Sequence, residues 1–99
     1  MEYVRPSARM LASVTDEHEA SLVAALGADI IDAKNPAAGA LGALPHATVT
    51  AIRAAVSERL PVSATVGDPV DDPEAVAHAV TGMAQAGADI VKVGLRNGD

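Results

Sequence analysis

Two lysines, Lys34 and Lys92, are the only primary amines on side chains of this 99-residue sequence, which has no cysteine. An amine held among apolar walls and beside a second ammonium gives up its proton more easily, through desolvation and like-charge repulsion. A partly neutral lysine attacks a carbonyl and forms a Schiff base. Asp32, two residues before Lys34, is a carboxylate placed to shuttle protons for such a reaction. The ordinary alternative is that Asp32 and Lys34 pair as a solvated salt bridge, the usual fate of a lysine at a strand end. Both lysines, however, fall near the carboxyl ends of expected strands, on one expected face, at repeat-equivalent positions, and catalytic groups of parallel α/β folds gather at that end of the sheet.

The elements that must position these residues follow from punctuation. Residues 10–15 (MLASVT) form a short apolar run that reads as a strand. Asp16 is set to cap a helix running to about Leu26, with Glu19 completing a capping-box pattern and Gly27 as the stop. Residues 29–34 (DIIDAK) are a second strand, and 35–44 (NPAAGALGAL) a Pro- and Gly-bearing loop. A second helix is expected over about 45–60, with proline near its first turn. Residues 61–66 (PVSATV) make a third strand, the acidic stretch 67–72 a loop, and Pro73 opens a third helix to about Ala86, with Gly87 after it. Residues 90–95 (IVKVGL) are a fourth strand and 96–99 a stub.

The order β-α-β-α-β-α-β, with connections long enough for right-handed crossovers, specifies an α/β fold with a parallel sheet. Gly27-Ala28-Asp29-Ile30 recurs as Gly87-Ala88-Asp89-Ile90, so the chain reads as two β-α-β units. A flavodoxin-like open sheet can hold such units, but repeated quarter-barrels fit a barrel better. A complete (β/α)₈ barrel takes roughly 200 residues or more. The expected architecture is therefore the N-terminal half of a TIM barrel, with four parallel strands and three helices. Residues 1–9 are read as an N-terminal extension and 10–99 as the partial barrel domain. Strand alternation then sets Ile30, Asp32 and Lys34 on one face, with Ile90, Lys92 and Gly94, and with Ser63, Thr65 and Gly67. The β-branched opposite face must meet the helices, which turns Asp32, Lys34 and Lys92 toward the barrel axis.

Composition narrows the partners. The formal charge is −6 and no basic stripe exists for a phosphate backbone, which argues against nucleic acid. No apolar run approaches the roughly 20 residues of a membrane span, and residues 1–9 lack the apolar core of a signal peptide, so a cytoplasmic protein without membrane attachment is expected. Twenty-two alanines, one tyrosine and no Phe or Trp imply a thin core. His18, His46 and His78 have no ligand spacing, so no metal is expected on them. Asp68, Asp71 and Asp72 suggest Mg²⁺ less than an acidic loop capping the third helix. Gly39 and Gly42 would let backbone approach a phosphate, as would any flexible loop.

Three segments carry a resemblance. Residues 27–36 (GADIIDAKNP), 62–68 (VSATVGD) and 87–95 (GADIVKVGL) resemble the (5-formylfuran-3-yl)methyl phosphate synthase family, in the same order along the chain. The resemblance implies a TIM barrel that joins two molecules of glyceraldehyde 3-phosphate into a phosphorylated furan aldehyde, toward methanofuran-type cofactors, without metal or other cofactor. It implies Lys34 as the Schiff-base lysine, Lys92 as proton acceptor and Asp32 as supporting acid–base group. Ser63 and Thr65, on the matching face of the third strand by alternation, and Asp68 just beyond it, are expected to bind substrate. Family members are more than twice as long, begin almost directly with the first strand, and carry further catalytic Asp and Lys residues and phosphate-binding loops in their second half. Hence a homo-oligomer or a complementing C-terminal half is the expected protein partner. The alternatives are an inactive half-barrel, a half-barrel that dimerises and binds sugar phosphates without turnover, and a different class I aldolase-like lyase.

Overall fold

The computed structural model describes residues 8–38, 42–67 and 72–94. Four strands and three helices alternate: β1 (Leu11–Val14), α1 (Glu17–Ala25), β2 (Ile30–Ala33), α2 (His46–Ala55), β3 (Val62–Thr65), α3 (Pro73–Ala86) and β4 (Ile90–Lys92). A single 3-10 turn, Pro36–Ala38, follows β2. The strands form one sheet in the order β1-β2-β3-β4, and every pairing is parallel. A flavodoxin-like sheet would place its first strand between the second and third. The unbroken order is instead consistent with half of a barrel.

Local chemistry accounts for the helix ends. Asp16 accepts a hydrogen bond from the Glu19 N–H at 2.8 Å and so caps α1. Glu19 reaches back one residue further than a capping box requires, to the Thr15 N–H and hydroxyl rather than to Asp16. Asp72 caps α3 through the N–H groups of Glu74 and Ala75, with Pro73 in the first turn. That makes Asp72 a cap, while Asp68 and Asp71 lie outside the described residues. The second helix stops earlier than the expected Leu60. Val56 is already extended, with φ −114 and ψ 161, and puts its side chain in the core. Pro61 disfavours helix at the residue before it, so residues 57–60 turn, the Leu60 N–H bonding the Ser57 carbonyl.

The core lies between the helix layer and one face of the sheet. Val14, Ile31, Ala33, Val62 and Ala64 are all buried there against Val49, Ile52 and Met83. These are alternate positions along each strand, as the pleat requires. Small residues line much of this interface: Ala20, Ala28 and Ala86 are buried with Ala33 and Ala64. Each buries little apolar area compared with a fully buried Val or Ile, worth about 1.5–3 kcal/mol, so the few branched residues carry most of the core. The other face of the sheet bears Ser13, Asp32, Ser63, Thr65 and Lys92, and near its amino end Leu11 and Ile90, which are exposed. No helix among the described residues is long and apolar enough to cross a membrane.

The repeated Gly-Ala-Asp-Ile segment has one mechanical job, done twice. Gly27 (φ +100) and Gly87 (φ +121) take backbone conformations that L side chains avoid, ending α1 and α3. The next residue closes the turn, Ala28 N–H to the Val23 carbonyl and Ala88 N–H to the Met83 carbonyl. The aspartate then ties down the preceding strand. Asp29 donates its N–H to the Met10 carbonyl and accepts the Met10 N–H on its carboxylate at 2.7 Å. Asp89 does the same with Val62, at 2.7 and 2.9 Å. Arg53 of α2 adds an ion pair to Asp89 at 2.7 Å.

Candidate functional site

On the face of the sheet turned away from the helices, one carboxylate collects three donors. Asp32, at the third position of β2, is almost fully buried. The register sets Ser13 of β1 and Ser63 of β3 beside it on either hand. Ser63 donates its hydroxyl to Oδ1 of Asp32 at 2.7 Å, and Ser13 donates to Oδ2 at 3.1 Å. Lys92 belongs to β4, two strands from β2, and is level with Thr65 rather than with Ser63. Its side chain reaches over β3 to place Nζ 2.7 Å from Oδ1 of Asp32. A serine at position 63 is short enough to let it pass.

Burial alone would raise the Asp32 pKa. The Lys92 hydrogen bond, the Ser63 hydrogen bond, the Lys92 charge and the Ser13 hydrogen bond outweigh it, and the carboxyl titrates below the usual Asp value. Asp32 is therefore an anion at neutral pH. Lys92, with more than a third of its side chain exposed, is its counterion and remains open to whatever approaches this face.

Lys34 stands one residue past the end of β2, and its N–H continues the ladder to the Val14 carbonyl. Alternation places it on the Asp32 face, one step beyond the Ala33–Ala64 pairing and so level with Thr65. Lys34 and Lys92 thus occupy one level of the sheet on β2 and β4, their backbones about 10 Å apart at two strand spacings. Among the described residues no carboxylate lies within ion-pair distance of Lys34. The alternative of an Asp32–Lys34 salt bridge is not what forms: Asp32 pairs with Lys92. The repeat also aligns differently from expectation. Counting from the equivalent Asp29 and Asp89, Lys92 corresponds to Asp32, and Lys34 corresponds to Gly94.

Ser63 and Thr65 are both on this face, and both hydroxyls already have protein acceptors. Thr65 donates to the Gly42 carbonyl at 3.0 Å and is fully buried. The Asn35 N–H bonds the same carbonyl at 2.9 Å, which folds the end of the loop after β2 over the top of β3. Of the two loop glycines, Gly42 is part of this closure and Gly39 lies outside the described residues, as does Asp68. Ser13 carries no motif of its own in the sequence; only the register reveals it, because it is paired with Asp32. Among the described residues no three His, Cys, Asp or Glu side chains gather as a metal would require. His46 packs instead at the α2–α3 contact, where its ring approaches Gly82.

Residues 10–99 match the family model described as 4-HFC-P synthase. The chain belongs to that family. It is 44% identical over 87 residues to (5-formylfuran-3-yl)methyl phosphate synthase of Methanosarcina mazei, a match covering 88% of this chain and 37% of that protein. It is 48% identical over 86 residues to the synthase of the same name from Methanocaldococcus jannaschii, covering 87% and 37%. Against the Methanopyrus kandleri synthase it is 46% identical over 87 residues, covering 88% and 37%. The chain thus spans a little over a third of the length of these relatives of the 4-HFC-P synthase family.

Proposed function

We propose that this chain supplies the first half of a TIM (β/α)₈ barrel, residues 10–99 with 1–9 as an extension, that makes a furan aldehyde phosphate from two molecules of glyceraldehyde 3-phosphate. The observation that carries the reading is the grouping on one sheet face of Lys34, Lys92 and Asp32. In the proposed reaction the neutral Lys34 amine attacks a triose phosphate carbonyl, water leaves, and the resulting imine acidifies the neighbouring carbon. The Lys92 ammonium gives its proton to that departing water, and the neutral amine so formed receives the proton taken from the carbon, with Asp32 holding Lys92 in place. A second triose then condenses, one phosphate and two waters are lost overall, and hydrolysis of the imine frees Lys34. An ammonium paired with a carboxylate is a poor nucleophile, which supports Lys34 over Lys92 as the imine former. The product points to methanofuran-type cofactor synthesis in the cytoplasm.

Within the described sheet β1 and β4 each have one neighbour. Unpaired strand edges recruit other strands, so the remaining four strands come from further polypeptide of the same protein, a complementing C-terminal half, or a second copy. The mass in solution of the protein carrying this chain distinguishes these sources.

Borohydride reduction in the presence of glyceraldehyde 3-phosphate or dihydroxyacetone phosphate tests the chemistry. The complete barrel should retain a reduced adduct on Lys34. Lys34→Arg should abolish it, because a guanidinium does not deprotonate to attack a carbonyl. Lys92→Arg should slow turnover and leave some adduct. An adduct mapped to Lys92 would reverse the two roles, and no adduct from an active enzyme would refute the imine.

A further inference from the structure

We propose that Ser13 and Ser63 are positioning residues, a clamp from β1 and β3 that fixes both oxygens of Asp32 so that its carboxylate holds the Lys92 ammonium. This rests on the reading of Lys92 as a group that exchanges protons with substrate. The geometry is specific. Ser13, Asp32 and Ser63 are level on three adjacent strands, and neighbouring strands are about 4.8 Å apart. A hydroxymethyl group on either flank therefore spans the gap to the carboxylate between them. Ser63 takes Oδ1 and Ser13 takes Oδ2, which fixes the plane of the carboxylate and not only its position. Lys92 binds Oδ1, the oxygen that Ser63 also holds.

The clamp changes what Asp32 does. Among the described residues, the three groups bonded to its carboxylate are all donors: two hydroxyls and an ammonium. A protonated Asp32 would add a fourth hydrogen where three already point, and would lose acceptor capacity that they use. Asp32 is thus a fixed anion whose part here is to hold Lys92 in place. Ser63 belongs to the same framework, its hydroxyl turned to Asp32 from a buried position rather than to open space. Charge-assisted hydrogen bonds of this kind are the stronger ones.

The test uses the protein that carries this chain, with Ser13→Ala, Ser63→Ala, the double variant and Ser13→Thr. Two readouts are taken: kcat and KM against pH, and the titration of the Asp32 carboxyl by ¹³C NMR, assigned with Asp32→Asn. Each alanine variant should lower kcat about tenfold, the order carried by one hydrogen bond to a charged group, with KM changed less than about twofold. The acid limb of kcat should move to higher pH, because a carboxylate deprived of donors protonates sooner, and the Asp32 titration should move with it. Ser13→Thr, which keeps the hydroxyl, should restore both. An unmoved Asp32 titration in the double variant overturns the clamp. So does a rise in KM at constant kcat, which would make the serines substrate contacts, or a loss of thermal stability with the acid limb unchanged. If the unaltered protein makes no furan aldehyde phosphate, the proposed function fails, while the carboxyl titration still decides the clamp.

Discussion

Replacing Lys92 by methionine removes the ammonium from Asp32 and keeps most of the apolar stem. Breaking a fully buried ion pair costs about 3–5 kcal/mol, because one charge is left uncompensated. Here the penalty must be discounted. Lys92 is substantially exposed, and exposed partners contribute about 0–1 kcal/mol. Asp32, by contrast, is almost fully buried, and keeps only its two serine donors. The expected loss at neutral pH is between those limits, about 1–2 kcal/mol. Its pH dependence is the sharper signature. The Asp32 pKa is lowered in the folded protein, so its stabilisation is present above the unfolded value, about 3.9, and is lost as pH falls through the folded one. Without Lys92 burial has less to oppose it, and the advantage shrinks. Urea melts followed by circular dichroism from pH 7 to pH 2.5 should therefore show the two proteins far apart at neutrality and converging in acid. The double variant Asp32→Asn/Lys92→Met should recover part of the loss at neutrality, since the buried charge goes with its partner. A gap that stays constant through the acid range would refute the assignment of Asp32 as the buried anion of this pair.

Three glycines should differ in their tolerance of alanine. Gly87→Ala should be the most costly, since its φ of +121 is strained for alanine and an added Cβ would lie 2.7 Å from Arg53 Cγ; Gly27→Ala, equally left-handed but with open space around it, should cost about 1–2 kcal/mol. Gly82→Ala should be near neutral by the same melts, because the 2.6 Å approach is to the ring of exposed His46, which can swing aside, and helix propensity favours alanine by about 1 kcal/mol. Asp16→Ala should lose the α1 cap and about 1 kcal/mol in a thermal melt. Asp89→Ala should cost more than Asp29→Ala, because it forfeits the Arg53 pair along with the strand contact that the two share.

The strands and the starts of α1 and α3 were legible because their signals are local. Asp16 and Asp72 are caps, Gly27 and Gly87 end helices, and strand residues alternate between a β-branched or alanine face and a polar one. The end of α2 was not legible. Ser57, Glu58 and Arg59 are acceptable in a helix, and only the need to bury Val56 and enter β3 through Pro61 turns the chain out. Asp32, Lys34 and Lys92 were legible as a shared face, since parity along a strand is a matter of counting. Their pairing was not, because it depends on register and on side-chain reach across β3. Ser13 was invisible for the same reason: a lone serine in an apolar run has no meaning until the strand beside it is known.

The duplicated unit explains why the ion pair runs between β2 and β4. Each Gly-Ala-Asp-Ile segment anchors its strand to the one before through an aspartate at its start, Asp29 on Met10 and Asp89 on Val62. Three residues further on, each strand presents one side chain on the face away from the helices. In the first unit that residue is Asp32 and in the second it is Lys92. Equivalent scaffolds thus deliver opposite charges to one surface, and the strand between them carries serine where a larger side chain would obstruct the lysine. Lys34 has glycine at the matching place in the second unit, Gly94. The asymmetry leaves a single lysine without an ion pair among the described residues beside one that has its counterion built in. A reaction needing a nucleophilic amine and a separate proton carrier requires that difference, and two lysines at identical positions of a repeat would not supply it.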